Sequence, residues 1–496
     1  RLRSILFALL ATVSLPCLQS HAATPNIVFI IADDLGFADL GCYGARATEL
    51  GPISPNIDAL AAGGLRLTQG SANSPVCSPT RFALMTMRYQ YRVRAGMEEP
   101  ISSKSKGSTT LGLPPEIPTL PSLLKAAGYR TGHFGKWHLG SVQRASPVSP
   151  GASGFDEWVS SPNFFDQDPV LSVQGKATQF KGDSSDITVD EALKFIRRCG
   201  EKKQRFLAVV WFGSPHDPHQ ALESDRAPYA GLPEKQQHFY GEITAMDRAF
   251  GRLRTELREL DLRENTLLWY CSDNGALPKV GSTGGRRGFK GQIYEGGLAV
   301  PALMEWPAVF HEPKVIAAPC VTSDIYPTVL EIAGVSMEKQ PPLDGIDIMP
   351  LLTGEETKRS RPIGFWESGK KGISTPSKAW MDELLAAQTK GGEPADPARL
   401  LPDAAKIGEP VSLTEFPGHA AWLDWPWKLH RIENKKTHEV SWELYNLVRD
   451  PDESTVLLAE QPERVPEMQK NLEEWLESVA RSLNGEDYAG EKGVGK

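Results

Sequence analysis

The chain of 496 residues lacks features that would place it in several common classes. It has no basic excess: 54 Lys and Arg stand against 62 Asp and Glu, for a net charge of −8. Nucleic-acid-binding domains carry a basic patch, so this balance argues against that class. No apolar run reaches the ~18 residues that cross a bilayer, so no membrane span is expected. Hydrophobic residues still make up 40% of the chain, as in ordinary packed domains.

Cysteine is scarce, with six residues in the whole chain. Their spacing indicates neither a disulfide framework nor a zinc site. Cys17 would be lost with an N-terminal export signal, which leaves an odd number of cysteines. In an exported protein, an odd count indicates one thiol with special chemistry.

The N-terminal segment has the pattern of an export signal. Arg1 and Arg3 precede an apolar run over 5–15, and small residues follow at 20–23. We therefore expect a signal peptide at residues 1–22 and a periplasmic or secreted mature protein.

Three continuous apolar runs predict buried parallel strands. They extend from Asn26 to Asp33, from Phe206 to Gly213 and from Thr266 to Ser272, with helical stretches between them. Such runs suit strands that are covered on both faces. The alternation predicts an α/β fold in which helices sandwich a large mixed, mostly parallel sheet.

The composition changes after about residue 340. Residues 367–411 are rich in Gly, Pro, Lys and Ala and predict a long loop. Strand-like segments at 420–431 and 442–447 then precede a helix predicted over 462–483. We expect a catalytic domain over 24–340 and a smaller C-terminal α+β subdomain over 341–496, with antiparallel strands and a terminal helix.

Polar residues follow each of the three predicted strands. Asp33 and Asp34 follow the first, a segment ending at His216 follows the second, and Asp273 and Asn274 follow the third. In open α/β sheets, ligands bind beyond the carboxyl ends of the strands. Oxygen ligands favour calcium or magnesium over zinc. The sequence therefore predicts a divalent cation site, although polar residues also end strands without binding anything.

Cationic residues that could hold an anionic substrate lie in two glycine-rich segments. Lys136 and His138 lie between Gly132 and Gly140, and Lys290 lies in a second glycine-rich loop. Three carboxylates exceed the charge of one divalent cation, so an anionic substrate would need further cations nearby. Taken singly, each of these residues is more often an ordinary surface or structural side chain.

The segment from Cys77 to Arg81 is the sharpest signal. Pro79 is typical of a first helical turn, which would place Cys77 at the positive end of a helix. Two alternatives are a buried thiol at an ordinary helix cap and a thiol nucleophile with a His base. Neither explains an all-oxygen cation site in the same crevice.

The pattern Cys77-x-Pro79-x-Arg81 resembles the motif of the formylglycine-dependent sulfatases, the arylsulfatase family of the alkaline phosphatase superfamily. Other blocks similar to those of the family follow in order, at 26–34, 132–140, 214–218, 272–275 and 290–297. The resemblance covers about residues 24–340 and is closest to the branch of N-acetylgalactosamine-6-sulfatases and arylsulfatase A. It implies an alkaline phosphatase-like fold. One departure is Met85-Thr86-Met87, where the family usually has Leu-Thr-Gly.

The resemblance also implies a role for each site residue. Cys77 would be oxidised by a formylglycine-generating enzyme to formylglycine, whose hydrate is the nucleophile. Calcium, or alternatively magnesium, would be held by Asp33, Asp34, Asp273, Asn274 and residue 77. Arg81 would stabilise the hydrate, and Lys136 and His138 would flank it. His216 and Lys290 would contact the sulfate ester and its leaving oxygen. Ser161, Asn163 and His419 are expected to line the substrate pocket.

The predicted activity is hydrolysis of sulfate monoesters, exo-acting on sulfated carbohydrate. One alternative retains the site but changes the substrate to phosphonate or phosphate monoesters. The other is a non-catalytic protein that binds sulfated glycans because Cys77 is not converted.

Overall fold

The computed structural model describes residues 24–44, 49–93, 112–113, 117–337, 340–367, 375–394 and 410–488. The predicted signal peptide at 1–22 lies outside these residues. None of the helices in the described ranges is long and apolar enough to cross a membrane. The five cysteines in the same ranges are free thiols.

Ten strands form the central sheet, in the order β11-β2-β10-β9-β1-β8-β4-β5-β6-β7. The strand bounds are β1 Asn26–Ala32, β2 Leu65–Leu67, β3 Gly70–Ser71, β4 Arg130–Lys136, β5 Glu157–Ser161, β6 Val170–Val173, β7 Lys176–Gln179, β8 Phe206–Trp211, β9 Thr266–Ser272, β10 Ala302–Glu305, β11 Lys314–Ile316, β12 Cys320–Val321, β13 Ile363–Glu367, β14 His419–Asp424, β15 Trp427–Glu433 and β16 Val440–Asn446. The five central strands from β9 to β5 are parallel, whereas β10, β6 and β7 add antiparallel pairs. The prediction of a mixed, mostly parallel sheet is confirmed.

Helices cover both faces of this sheet. Their bounds are α1 Pro55–Gly63, α2 Cys77–Thr86, α3 Leu120–Ala126, α4 Ser184–Glu201, α5 Glu223–Arg226, α6 Glu234–Glu259, α7 Glu295–Leu298, α8 Ile325–Ala333, α9 Met349–Thr353, α10 Ser377–Thr389 and α11 Arg464–Leu483. Successive side chains of a strand point to opposite faces. On one face, Ile27, Phe29 and Ile31 of β1 pack with residues of α2, α3, α8 and α9. On the other, Val28 and Ile30 pack with residues of α1, α4 and α6.

The C-terminal part forms a second, antiparallel sheet in the order β13-β14-β15-β16. Helix α11 packs Leu472 and Leu476 against one face of it. The other face packs Phe365 and Leu423 against Ile293, which lies in the loop that carries Lys290. The second sheet therefore supports the loop that carries Lys290.

The predicted long loop at 367–411 is wrong in part, because it contains helix α10. Trp380, Met381 and Leu384 are buried at helical spacing, and Met381 and Leu384 belong to the core of the large sheet. The flanking Gly, Pro and Lys residues obscure this short apolar pattern in the sequence. Residues 368–374 and 395–409 of the predicted loop lie outside the described ranges.

Candidate active site

The acidic residues meet where β1 and β9 end side by side. Ala32 is the register partner of Ser272, so Asp33 and Asp34 leave the sheet next to Asp273 and Asn274. Asp273 Oδ1 accepts a hydrogen bond from the backbone N–H of Asp34 at 3.2 Å. Asn274 donates from Nδ2 to Asp34 Oδ1 at 2.9 Å. We call these four residues the strand-end cluster.

Cys77 lies at the first residue of α2 and is completely buried. Its Sγ is 3.5 Å from Asp34 Oδ1 and 3.3 Å from Lys290 Nζ. Burial and the charge of Asp273 raise the pKa of the Cys77 thiol well above its ordinary value. The helix ends at Met87, whose φ of 59° is left-handed. Glycine is favoured at such a helix end, which gives a conformational reason for the family's usual Gly at this position.

Two lysines neutralise the two adjacent aspartates. Lys136 Nζ is 2.7 Å from Asp33 Oδ2, and Lys290 Nζ is 2.7 Å from Asp34 Oδ2. Burial raises the pKa of Asp33 to about 8, although Lys136 opposes this shift. Despite burial, Lys290 holds the pKa of Asp34 well below its usual range. Asp33 therefore depends on a nearby positive charge to stay ionised.

Lys136 reaches this position because β4 approaches β8 very closely. Gly135 has a φ of 109°, and a Cβ at this position would lie 1.8 Å from the carbonyl oxygen of Trp211. Only glycine fits such a contact in this backbone conformation. The unsubstituted backbone at residue 135 thus sets where Lys136 leaves the sheet.

Arg81 lies one turn after Cys77 in α2 and forms hydrogen bonds with other residues of the site. It donates to Asp273 Oδ2 from Nε at 3.0 Å and from Nη2 at 2.7 Å. Its Nη1 donates to the carbonyl oxygen of Lys136 at 3.1 Å. These contacts connect α2 to both β9 and β4.

The two predicted histidines lie on different sides of the site. His138 is buried, and its carbonyl oxygen accepts a hydrogen bond from Ser78 Oγ at 2.8 Å. His216 Nε2 lies 3.5 Å from Asp34 Oδ2, and its ring stacks on Phe164 at 4.6 Å. Burial lowers the pKa of His216 to about 3.

The site residues fit a hard divalent cation. Asp33 Oδ1 and Asn274 Oδ1 are buried and have no hydrogen-bond partner. Asp33 Oδ1 forms an ion pair with Arg81 Nη2 at 3.6 Å, which is longer than a hydrogen bond. Buried polar atoms nearly always form hydrogen bonds, so two oxygens that lack one in the same cluster indicate that another group binds there. Potential ligand atoms of Asp33, Asp34, Cys77 and His216 all lie within 4.8 Å of one another. The structure thus adds His216 to the residues near the predicted cation position.

The three predicted pocket residues fall in two places. Ser161 Oγ is 2.7 Å from Ser377 Oγ, and the backbone N–H of Asn163 also donates to Ser377. Both residues therefore contact the start of α10. His419 instead contacts His430, with 2.8 Å between Nε2 and Nδ1, and lies against the ring of Tyr294.

Sequence reasoning missed a buried group behind the Lys290 loop, which we call the inter-sheet cluster: Glu295, Lys428, His430 and Glu453. Lys428 Nζ donates to Glu295 at 2.7 Å and to Glu453 at 3.1 Å. It also donates to the carbonyl oxygen of Ile293 at 3.0 Å. The sequence gives no signal for this cluster, because polar and apolar residues mix in β15, Trp-Lys-Leu-His-Arg-Ile-Glu, as in a strand with one face in solvent.

Comparison with known proteins assigns the chain to a class. A sequence model of the family described as Sulfatase matches residues 25–335, which is more than half of the chain. The chain belongs to the sulfatase family, and the protein is a sulfuric ester hydrolase.

Individual relatives agree with this assignment. Steryl-sulfatase of Rattus norvegicus is 31% identical over 71% of this chain and 74% of its own length. Arylsulfatase A of Homo sapiens is 33% identical over 74% of each chain. N-acetylgalactosamine-6-sulfatase of Canis lupus familiaris is 30% identical over 69% of this chain and 68% of its own.

Solved structures show the same architecture. The structure of Ps i-CgsB matches with a TM-score of 0.74 and 25% identity, over 93% of this chain and 97% of that one. Ps i-CgsB has also been solved in complex with k-i-k-neocarrahexaose. The expected alkaline phosphatase-like fold is confirmed.

Proposed function

We propose that this sulfatase hydrolyses sulfate monoesters of carbohydrate with a formylglycine made from Cys77 and a bound divalent cation. The observation that carries the proposal is the burial of Cys77 between Asp34 and Lys290, beside two buried oxygens that have no hydrogen-bond partner. A hydrated aldehyde at position 77 would supply the nucleophile and a route for releasing sulfate.

The cation would be calcium, with magnesium as the alternative, because the neighbouring donors are oxygens. Asp33, Asp34, Asp273 and Asn274 would hold it, together with an oxygen of residue 77. A bound cation of this kind lowers the pKa of a ligated hydroxyl and stabilises charge on sulfuryl oxygens. Its charge would also keep the buried Asp33 ionised.

The remaining roles in the reaction would belong to side chains of the protein. Lys136 and Lys290 are positioned to stabilise negative charge on the sulfuryl group. Lys290 and His216 both contact Asp34, and Lys290, which stays protonated there, would give a proton to the leaving oxygen while His216 would contact the ester. His138 would accept a proton from residue 77. Arg81 holds Asp273 and the Lys136 backbone in place.

Carbohydrate is proposed as the substrate on the strength of the relatives. N-acetylgalactosamine-6-sulfatases are among them, and Ps i-CgsB binds a neocarrahexaose. We further propose that the protein acts at chain ends, is exported to the periplasm or beyond, and is matured by a formylglycine-generating enzyme. Residues 1–22 are the proposed export signal.

The first experiment is mass spectrometry of the tryptic peptide 67–81 from protein made with a formylglycine-generating enzyme. We expect a peptide lighter than the cysteine form that reacts with a hydrazide. The same preparation should hydrolyse an aryl sulfate, and Cys77→Ala should not. An alkylatable Cys77 in fully active enzyme would overturn the proposed nucleophile.

A substrate panel separates the remaining alternatives. Matched aryl sulfate and aryl phosphate esters, 6-sulfated N-acetylgalactosamine and a steryl sulfate would be compared by kcat/KM. The proposal expects the sugar sulfate to exceed both the steryl sulfate and the phosphate. Preference for the steryl sulfate would overturn the carbohydrate assignment, and binding without turnover by converted enzyme would support the glycan-binding alternative.

A further inference from the structure

A pocket beside the strand-end cluster is lined by helix α10, which the sequence analysis did not predict. The pocket has a cavity volume of about 110 Å³ and lies between residues 164–170, which follow β5, and the first turns of α10. Ser161 and Ser377 line it from opposite elements and are joined by the 2.7 Å contact between their hydroxyls. The helix is therefore fixed to the strand that carries the pocket.

The pocket adjoins the active site at two points. Phe164 lines the pocket and also stacks on His216, whose Nε2 lies 3.5 Å from Asp34. Ser161 lines the pocket and is the register partner of Lys136 across the β4–β5 pair. A substrate with its sulfate at the strand-end cluster would thus have its neighbouring group close to this pocket.

The wall of the pocket is acidic, and one of its carboxylates has no partner among the described residues. Asp166 lines it and makes no hydrogen bond or ion pair within the described part of the chain, and the charged groups acting on it are Asp183, Asp217, Glu242 and His219. Oε1 of the neighbouring Gln167 is buried without a hydrogen-bond partner.

The acidic residues of this wall have few cationic side chains near them. Among the described residues that line the pocket, the cation is Lys378, which is 88% exposed and pairs with Asp382 at 2.8 Å. Phe164, Phe165 and Met381 supply apolar surface. Apolar walls with a few polar groups are typical of small-molecule sites.

We infer that this pocket binds an uncharged sugar residue linked to the sulfated one, and that it disfavours a neighbour bearing a carboxylate or a second sulfate. The inference rests on the proposed function. Hydroxyl groups of a neutral sugar can donate to the carboxylate of Asp166, which would otherwise remain unpaired. Because burial raises the pKa of Asp166 to about 7, an anionic neighbour would be repelled by an uncompensated carboxylate at pH 8, where the kinetic test is made.

The test compares two disaccharides that differ only in the charge of the neighbouring residue. The probes are 6-sulfated N-acetylgalactosamine linked to galactose and the same sugar linked to galacturonic acid, with an aryl sulfate as a third substrate. For the wild type we expect kcat/KM to be at least about tenfold higher with the galactose probe. Asp166→Asn should reduce this ratio to within about threefold while leaving kcat/KM for the aryl sulfate unchanged.

Asp166→Asn is expected to fold, because it removes an unpaired carboxylate from a group of carboxylates. Asp190→Asn is the matched control: the same change of charge on an exposed residue of α4, paired with Arg252. It should leave the ratio at the wild-type value.

Three results would count against these ideas in different ways. Wild-type enzyme that cleaves the aryl sulfate but treats both disaccharides equally would overturn the pocket assignment alone. An equal loss on all three substrates in Asp166→Asn would show a structural role and also overturn it. Converted wild-type enzyme that cleaves no sulfate ester would overturn the proposed function itself.

Discussion

The strand-end cluster and the inter-sheet cluster are both buried groups of charged and polar residues, but their hydrogen bonding differs. In the inter-sheet cluster, Glu453 accepts from His430 at 2.7 Å and from the backbone N–H of Glu295 at 2.6 Å, and Lys428 has three acceptors. In the strand-end cluster, Asp33 Oδ1 and Asn274 Oδ1 have no hydrogen-bond partner. Complete pairing indicates a structural role, whereas incomplete pairing indicates that another group binds there.

The largest expected effect is on activity, from Asp34→Asn. Asp34 has a φ of 66°, a conformation that asparagine also adopts readily, so the fold should be retained. Loss of this carboxylate should lower kcat/KM for an aryl sulfate by about 10⁴-fold, or about 5 kcal/mol. Asparagine leaves the buried Lys290 without its carboxylate, so the free energy of unfolding should also fall, by about 3 kcal/mol. Activity within tenfold of wild type would show that the strand-end cluster does not take part in the reaction, and Asp190→Asn serves as the charge control.

Lys428→Met in the inter-sheet cluster should lower the stability of the protein but leave most of its activity. Removing one partner leaves buried carboxylates uncompensated, so the free energy of unfolding should fall by about 4 kcal/mol. Chemical denaturation would measure it, with the exposed Lys436→Met as control. The folded enzyme should keep kcat within about tenfold of wild type. A stable variant with a thousandfold lower kcat would instead make this cluster part of the active site.

Removal of the bound cation should lower both the activity and the stability of the wild type. Dialysis against a chelator should abolish turnover and reduce the free energy of unfolding by about 3 kcal/mol, the stabilisation expected near a hundredfold excess of ligand over Kd. Added calcium should restore both in the wild type. Asp34→Asn should gain no stability from calcium. Unchanged melting and activity after chelation would contradict the assignment of a cation.

A smaller effect, on stability, is expected from substitution of Asp166, which lines the pocket beside α10. Burial raises the pKa of its carboxyl from 3.8 to about 7. Between these values the unfolded chain loses a proton that the folded protein keeps, so stability falls as pH rises through this window. Relative to wild type, Asp166→Asn should therefore gain about 2 kcal/mol between pH 4 and pH 7, and no more above. Denaturation at four pH values checks this, and a constant difference across them would refute it.

Much of the fold could be predicted because continuous apolar runs identify the buried strands β1, β8 and β9. Strand β4 gives no such signal, since its sequence Arg-Thr-Gly-His-Phe-Gly-Lys is mostly polar or small. It becomes a central strand through its pairing with β8 and β5. Helix α10 was missed for a similar reason. Its apolar pattern consists of three buried residues, and the long flanking segments have the composition of a loop.

The positions of site residues could be predicted where the residues directly follow strands. They could not be predicted where the positions depend on tertiary contacts. Asp33 and Asp273 could be placed together because the ends of parallel strands meet at one edge. The bonding of Arg81 to Asp273, by contrast, depends on how α2 packs on the sheet. Which oxygens remain unpaired is equally invisible in a sequence, because pairing is a property of the complete hydrogen-bond network.

The close approach at Gly135 has a consequence for mutational tolerance. In a saturation scan, position 135 would be as intolerant as Cys77, although it carries no reactive group. The cause would differ, because any side chain would collide with the Trp211 carbonyl and displace the end of β4. Gly135→Ala would thus lose expression and activity together, whereas Cys77→Ala would lose activity alone. Invariance at a position in this protein therefore does not identify a residue that takes part in the reaction.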